Sequence, residues 1–248
     1  MKYTINKNFK TREEKNGTYS FMNLETMQIM FLNKTASIIY NNADIDILDD
    51  LVVFIMNNFK GVTFDEAKKD CEQILNYMDV LGLINIVRES SCVEQITVAG
   101  ENDYKDISQF ILDSLCLKDV YMLLSSNKKT DYSAYAIRNR QFNDLEYNFI
   151  HRDHNNKIDA LLTFSYNKGS SILTLTNIVG EFKNETIFSE IIQYVLEQTM
   201  FLTKIRFLIE DNKINNIKNL IEKLGFTIET KLKKEYDNND LLIYSIIK

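Results

Sequence analysis

The spacing of apolar and polar positions changes several times along this chain, and each change marks a new predicted element. Two short apolar runs, at about 19–22 and 28–32, flank a polar turn and predict a β-hairpin. Three runs with apolar residues at i, i+3 and i+4 follow and predict helices. Asn33 stands where the first helix needs its N-cap, and Thr63 with Glu66 has the spacing of a capping box for the third. This half of the chain therefore reads as a winged-helix-like β-hairpin plus three helices.

The second half of the chain predicts strands and helices in the order β-α-β-β-β-α-β-α-β-β. Three strands in succession, at about 145–152, 158–166 and 171–179, are joined by turns rich in Asn, Asp and Gly. The stretch 116–142 is less clear, since it holds one apolar run and one polar loop. The prediction is a mixed β-sheet flanked by helices, which makes the whole chain α+β.

The length of the chain and a polar joint between the two patterns predict two domains. We assign residues 1–18 to an N-terminal extension, 19–87 to a first domain, 88–92 to a linker and 93–248 to a second domain. The linker is too short to be a long flexible tether, so we expect the two domains to lie close together.

Composition and charge narrow the classes of function. Of the 248 residues, 45% are hydrophobic and 26% are charged, as in a soluble globular protein. Neither a run of about 18 apolar residues nor a signal peptide is present, so we expect a cytoplasmic protein without a membrane span. A net charge of −6 and an acidic third helix argue against nucleic-acid binding. The cysteines are scattered, and His151 and His154 flank a turn without a Cys or carboxylate to complete a site, so we expect no metal site. His151 remains a candidate general base.

Two segments of the first domain carry a resemblance to a known family. LETMQIMFLNKTASIIY, followed by DEAKKDCEQILNYMDVLGLI, resembles the PqqD-like family, the recognition domain (RiPP recognition element) for ribosomally made, modified peptides. The matching features are the acidic-Thr turn, Leu32-Asn33 before Ala36, and the closing Leu81-Gly82-Leu83. In that family the leader region of a precursor peptide adds as a strand to the exposed edge of the hairpin and packs against the last helix.

The resemblance implies a peptide-binding edge from Met27 to Leu32 and a groove wall on the third helix. Main-chain hydrogen bonds would give affinity at such an edge, and pockets for alternate side chains would give specificity. The implied peptide-binding residues are Met27, Ile29, Phe31, Asp70, Ile74, Tyr77 and Met78. The alternative for the apolar members is a place in the core, where side chains at these spacings usually lie. Asp70 and Tyr77 are off the main stripe and are better candidates for an exposed groove.

The order of elements in the second domain, with LIEKLGF at 220–226, resembles the GNAT acyltransferase family. The resemblance implies acyl-CoA, either acetyl-CoA or a longer thioester, as co-substrate, and no metal. Acyl-CoA would bind along a splayed strand at 174–179 and at the start of the next helix, where free backbone N–H groups favour a pyrophosphate. The residues implied for this role are Ile178, Val179, Lys183, Thr186 and Ser189.

The chain departs from the family's pyrophosphate loop, Q/R-x-x-G-x-G/A. We align Ile191-Ile192 with the paired leucines that usually follow this motif. Lys183 then takes the motif's Q/R position, and Thr186 and Phe188 take its two glycine positions. A Phe188 side chain would crowd a pyrophosphate. A Tyr that often acts as general acid in the last helix is replaced by Ile221, which cannot donate a proton. The candidate catalytic residues are the bases Glu181 and Glu210, with Tyr236 as a substitute acid.

Two functions stay open from the sequence. In the first, a leader-guided N-acyltransferase transfers an acyl group from acyl-CoA to an amine of a precursor peptide during its maturation. In the second, cofactor binding is lost, and a catalytically degenerate GNAT-fold adaptor or chaperone presents the peptide to other maturation enzymes. The first is slightly favoured, because divergent members of this fold tolerate altered loops.

Overall fold

The computed structural model describes residues 2–24, 27, 29–42, 48–59, 61–87, 95–115, 120–122, 129–167, 169–199, 202–236 and 239–248. The chain divides into two compact units, Met1–Glu89 and Ser90–Lys248. Both units combine strands with helices, which confirms the α+β expectation. The predicted linker at 88–92 lies outside the described residues. Within the described part, no helix is long and apolar enough to cross a membrane.

The first unit is a small sheet covered by helices. Its described strands are β1 (Lys2–Ile5), β2 (Phe9–Glu13), β3 (Tyr19–Asn23), β4 (Ile29–Leu32) and β5 (Ile84–Val87). Its described helices are α1 (Lys34–Asn41), α2 (Leu48–Asn58) and α3 (Phe64–Val80). Strands β2, β3 and β4 form an antiparallel sheet in that order, and β1 pairs separately with β5.

Residues 1–18 belong to this unit and are not an extension that precedes it. Strand β2 pairs with β3 from Phe9 opposite Asn23 to Glu13 opposite Tyr19, and β1 pairs with β5. No apolar alternation marks β2 in the sequence, because most of its side chains are exposed. The predicted hairpin is therefore part of a three-stranded sheet in which β4 lies at the edge.

The predicted helix starts in the first unit are confirmed. Asn33 Oδ1 accepts a hydrogen bond from the Ala36 amide at 2.8 Å. The Thr63 amide donates to Glu66 Oε2 at 3.0 Å, and the Glu66 amide donates to Thr63 Oγ1 at 3.4 Å, which completes the capping box. From these starts the helices turn their apolar faces inward, and the core includes Phe21, Leu32, Ile39, Leu51, Leu75 and Met78.

The second unit is built on one large sheet. Its described strands are β6 (Gln95–Val98), β7 (Val120–Met122), β8 (Glu146–Arg152), β9 (Ile158–Tyr166), β10 (Ile172–Gly180), β11 (Lys204–Glu210), β12 (Thr227–Tyr236) and β13 (Asn239–Ile247). Its described α-helices are α4 (Tyr104–Ser114), α5 (Ala134–Phe142), α6 (Glu185–Gln198) and α7 (Lys218–Lys223).

The sheet has the order β12-β13-β11-β10-β9-β8-β6, and β7 pairs with β10 outside this path. Only β10 and β11 are parallel among the described pairs of this sheet. Phe149, Leu162 and Ile178 lie opposite one another on β8, β9 and β10 and share a buried cluster with Phe188 and Ile191 of α6. Helix α6 therefore covers one face of the sheet, while α4 and α5 contact β8 and β9.

Candidate functional site

Strand β4 presents an open edge with apolar side chains. Its pairing with β3 uses one edge, and no described strand pairs with the other. Ile29 is 61% exposed, Phe31 is 71% exposed, and Met27, just before the strand, is 64% exposed. The alternating residues Met30 and Leu32 pack on the core instead. A core location for Ile29 and Phe31 is therefore wrong, and both side chains are available to a partner.

The outer face of this small sheet changes from apolar to basic away from the β4 edge. Residues directly opposite each other in paired strands share a face. Ile29 lies opposite Met22 of β3, and Met22 lies opposite Lys10 of β2. Arg12 is on the same side of β2, with its Nε 3.7 Å from a carboxylate oxygen of Glu14. An extended peptide on this edge would therefore meet apolar side chains first.

The candidate residues of α3 fall into three environments. Asp70 is exposed, whereas Ile74 and Tyr77 are half-buried on the helix surface. Met78 is fully buried at 0% exposure within the core. Met78 cannot touch a docked peptide directly, because its i, i+3 and i+4 partners place it on the core stripe with Cys71 and Leu75. Its predicted role in peptide contact is therefore wrong.

In the second unit, β10 and β11 run side by side and then diverge. Ile172–Leu175 pairs with Lys204–Phe207, and the parallel pairing ends there. A bulge in β10 between Leu175 and Asn177 accompanies the divergence, as bulges bend a strand away from its neighbour. We call the space between Asn177–Gly180 of β10 and Leu208–Glu210 of β11 the inter-strand slot. The resemblance places acyl-CoA here.

Strand β7 occupies the inter-strand slot. Val120, Tyr121 and Met122 pair antiparallel with Val179, Ile178 and Asn177. The same β10 residues pair with β9 on their other side. The segment of β10 that was expected to offer its backbone to acyl-CoA, including Ile178 and Val179, thus has a strand on both edges.

The Tyr121 side chain joins β7 to the opposite wall of the slot. Its hydroxyl donates a hydrogen bond to the backbone carbonyl of Leu208 on β11. Its ring centroid lies 4.6 Å from that of Phe207. Burial, with a smaller contribution from the charge of Glu210, raises the pKa of Tyr121 well above its ordinary value. Tyr121 is the residue of this site that the sequence pattern did not reveal, although it lies in the apolar run YMLL.

Phe188 fills the space beside the end of β10. The side chain is fully buried and faces Gly180, whose φ of +133° suits only glycine. A Cβ at Gly180 would lie 2.7 Å from the Asp159 carbonyl oxygen and 3.2 Å from Phe188 Cζ. Phe188 is therefore a core residue of the second unit, as its inward-facing helical position predicted.

The start of α6 carries charge of both signs. Lys183 Nζ lies 2.7 Å from Glu181 Oε2, and both side chains are well exposed. Glu185, in the first turn, pairs with Lys223 of α7 at 2.6 Å. The hydroxyl-bearing candidates Thr186 and Ser189 are exposed. Lys183, Thr186 and Ser189 are therefore accessible near a helix N-terminus, but the Glu185 carboxylate disfavours an anion there.

The candidate bases Glu181 and Glu210 lie in different surroundings. Glu181 is at the surface in its pair with Lys183. Glu210, at the end of β11, is only 13% exposed, pairs with Lys213, and accepts a hydrogen bond from Asn239 Nδ2 at 3.1 Å. As the last residue of β11, it lies at the end of one wall of the inter-strand slot. The side chain of Tyr236, the substitute acid, lies outside the described part of the structure.

His151 is buried on β8. Its Nδ1 lies 2.5 Å from Asp159 Oδ1 on the neighbouring strand. His154 remains exposed near Asn155. Among the described residues, no group of His, Cys, Asp or Glu side chains is arranged to hold a metal ion. His151 is on β8, which β9 separates from β10, so its side chain is not part of the inter-strand slot; Asp159 is on β9.

Comparison with solved structures finds N-acetyltransferases. The ribosomal-protein-S5-alanine acetyltransferase from Vibrio fischeri is similar at 16% identity and a TM-score of 0.49, over 66% of this chain and 97% of that one. The spermidine N-acetyltransferase from Vibrio cholerae, solved with CoA and spermine, is similar at 15% identity and a TM-score of 0.49, over 62% of this chain and 95% of that one. No family model and no curated protein matches the chain.

In this structure the inter-strand slot is occupied where the resemblance places acyl-CoA. Its β10 wall is already hydrogen-bonded to β7, and Tyr121 fills the space toward Phe207. Phe188 closes the region beside Gly180, and Glu185 adds negative charge at the helix start. A thioester that used these backbone groups of β10 would have to displace β7, because two occupants cannot use the same groups.

Proposed function

We propose that this protein captures a precursor peptide by its leader region and acts on it as an N-acyltransferase. The observation that carries the peptide half is the open edge of β4 with Ile29 and Phe31 exposed. A peptide strand added there would gain main-chain hydrogen bonds, and its alternate side chains would cover these two residues. The partner is thus an extended peptide with apolar residues at every second position.

The acyltransferase half is supported by the architecture of the second unit. Three antiparallel strands, β8, β9 and β10, lead into a parallel neighbour that diverges at a bulge, and α6 starts just after β10. This is the arrangement in which the GNAT family, which the sequence resembles, binds acyl-CoA. Glu210 is the better placed base of the two candidates, because it borders the inter-strand slot and is largely buried.

Peptide capture is tested with synthetic peptides that tile the short reading frames beside the gene. Binding to the full-length protein is measured for the variants Ile29→Asp and Phe31→Asp. Each is expected to weaken binding at least ten-fold, because a charge replaces an apolar contact on the edge. Val53→Asp is the matched control, since Val53 is 49% exposed on α2 of the same unit. Equal binding by all four proteins would mean that β4 is not the docking edge.

Acyl transfer is tested by incubating the captured peptide with acetyl-CoA and longer thioesters and measuring its mass. A mass increase that is lost in Glu210→Gln but kept in Glu181→Gln supports the assignment of Glu210. If the mass increase is lost only in Glu181→Gln, the general base is instead Glu181, in the exposed loop before α6.

A second candidate function is a peptide-presenting adaptor, and a specific observation favours it. The inter-strand slot is filled by the chain's own β7. An adaptor of this kind would bind the peptide and deliver it to other maturation enzymes without using acyl-CoA. Calorimetry with acetyl-CoA and longer thioesters separates the two: saturable binding supports the enzyme, and no binding by the folded protein supports the adaptor.

A further inference from the structure

The inter-strand slot has two walls of backbone that need hydrogen-bond partners. Beyond Leu175 the strand β10 loses β11 as its neighbour, because their pairing ends at Leu175 opposite Phe207. Ile178 and Val179 are fully buried. Buried backbone groups without partners carry a substantial free-energy cost, so an empty slot would destabilise the sheet.

Strand β7 forms hydrogen bonds to both walls. Its backbone pairs with Asn177–Val179 of β10, while the Tyr121 hydroxyl donates a hydrogen bond to the Leu208 carbonyl of β11. The contact between the rings of Tyr121 and Phe207 adds buried apolar area. A three-residue segment of the chain thereby performs the bonding that a ligand of this slot would have to perform.

We propose that β7 is an autoinhibitory occupant of the inter-strand slot, and that acyl-CoA binding requires its release. The inference rests on the proposed acyltransferase function. Acyl-CoA and β7 compete for the same edge of β10, so the affinity for acyl-CoA is reduced by the fraction of molecules in which β7 is seated.

The occupant that leaves is β7 rather than β9 or β11. Strand β9 pairs with β10 over nearly its whole length, from Leu173 to Gly180, and β11 is held by β13 from Lys204 to Glu210. Strand β7 has three residues and pairs only with β10 among the described strands. Short elements with few backbone bonds open at lower free energy than the central strands of a sheet.

The experiment measures the dissociation constant of acetyl-CoA by calorimetry for the full-length protein and three variants. Tyr121→Phe removes only the hydroxyl that bonds to Leu208, and Tyr121→Ala also removes the ring. Tyr121→Phe is expected to bind acetyl-CoA about five-fold more tightly, and Tyr121→Ala more than about ten-fold, because each weakens the competing strand. The control Tyr147→Phe removes a hydroxyl on β8 that lies 3.5 Å from Asp144, and it is expected to leave the affinity unchanged.

Hydrogen exchange at Tyr121 and Met122, with and without saturating acetyl-CoA, supplies the second readout. Faster exchange on acetyl-CoA addition supports release of β7. Equal acetyl-CoA affinity for the wild type and both Tyr121 variants overturns autoinhibition while leaving the acyltransferase proposal in place. No acetyl-CoA binding by any of the four proteins, with the fold intact, overturns the acyltransferase proposal itself and with it the competition.

Discussion

The two units of this protein treat the edge of a strand in opposite ways. In the first unit β4 keeps one edge without a described partner and exposes Ile29 and Phe31 beside it. In the second unit β10 has lost its parallel neighbour beyond the bulge, yet its edge is paired with β7 and sealed by Tyr121. The first edge is ready for a partner, whereas the second already has one from its own chain.

The difference shows that an apolar strand alone does not identify a binding edge. Ile178 and Val179 are as apolar as Ile29 and Phe31, but they are fully buried between two neighbouring strands. Open edges are costly for a protein because they invite unwanted pairing. An edge that remains open with large apolar side chains is therefore the stronger indication of a docking surface.

The largest expected effect contrasts one phenylalanine from each unit. Phe188→Ala should lower the free energy of unfolding of the second unit by about 3–5 kcal/mol, because it removes a fully buried ring. Phe31→Ala should change that of the first unit by less than about 0.5 kcal/mol, since Phe31 is 71% exposed. Hydrogen exchange of the full-length protein in urea follows each unit separately. A similar loss for both variants would contradict the contrast.

The next effect concerns Gly180 at the end of β10. Gly180→Ala should destabilise the second unit by about 2–4 kcal/mol, because its φ is +133° and the new Cβ would lie 2.7 Å from the Asp159 carbonyl oxygen. Gly169→Ala is the matched control: φ is +86° there, but no atom lies within 4 Å of the added Cβ. The control should cost about 1 kcal/mol. Equal costs would mean that Gly180 is not crowded by β9 and Phe188.

Much of the fold was predictable from local patterns. The helix starts at Asn33 and Thr63 follow from side chains that bond within a few residues, so short-range spacing identifies them. The three strands β8, β9 and β10 likewise follow from alternating segments and turn residues. Strand β2 was missed because its side chains are mostly exposed and carry no apolar period.

The candidate site was less predictable, because its decisive contact is remote in sequence. The Tyr121 hydroxyl and the Leu208 carbonyl are 87 residues apart, and no local pattern reports that pairing. The sequence pattern also did not determine which apolar side chains are exposed. Ile29 is at the surface, whereas Met78 is in the core. The inward position of Phe188 was predictable, since it belongs to the apolar stripe of α6.

A third effect tests whether Tyr121 seals the slot. Tyr121→Phe should cost about 1 kcal/mol at pH 7, because the part-buried Leu208 carbonyl loses its donor. Burial raises the pKa of folded Tyr121, whereas the unfolded side chain ionises near about 10. Stability from Tyr121 is therefore complete below that pH and is lost as the pH rises further. Between about pH 9 and 11, the range around the ordinary tyrosine pKa, the wild type should lose more stability than Tyr121→Phe in urea denaturation. Equal losses for the two proteins would contradict a buried hydroxyl.

The smallest effect separates the two units as folding bodies. Thr63→Ala removes the N-cap of α3 and should cost the first unit about 0.5–1 kcal/mol, in line with the long 3.4 Å bond to Glu66. Hydrogen exchange in β8, β9 and β10 should not change. Faster exchange in those strands would show that the stability of the second unit depends on the first.

The most direct test of the account is residue-resolved hydrogen exchange of the unliganded full-length protein at both edges. An edge strand has partners for only alternate residues, whereas a strand with two neighbours can protect successive amides. We expect slow exchange at all of Asn177, Ile178 and Val179, and alternating slow and fast exchange along Ile29–Leu32. Fast exchange within Asn177–Val179, or uniform protection of β4, would contradict the claim that one edge is filled and the other is open.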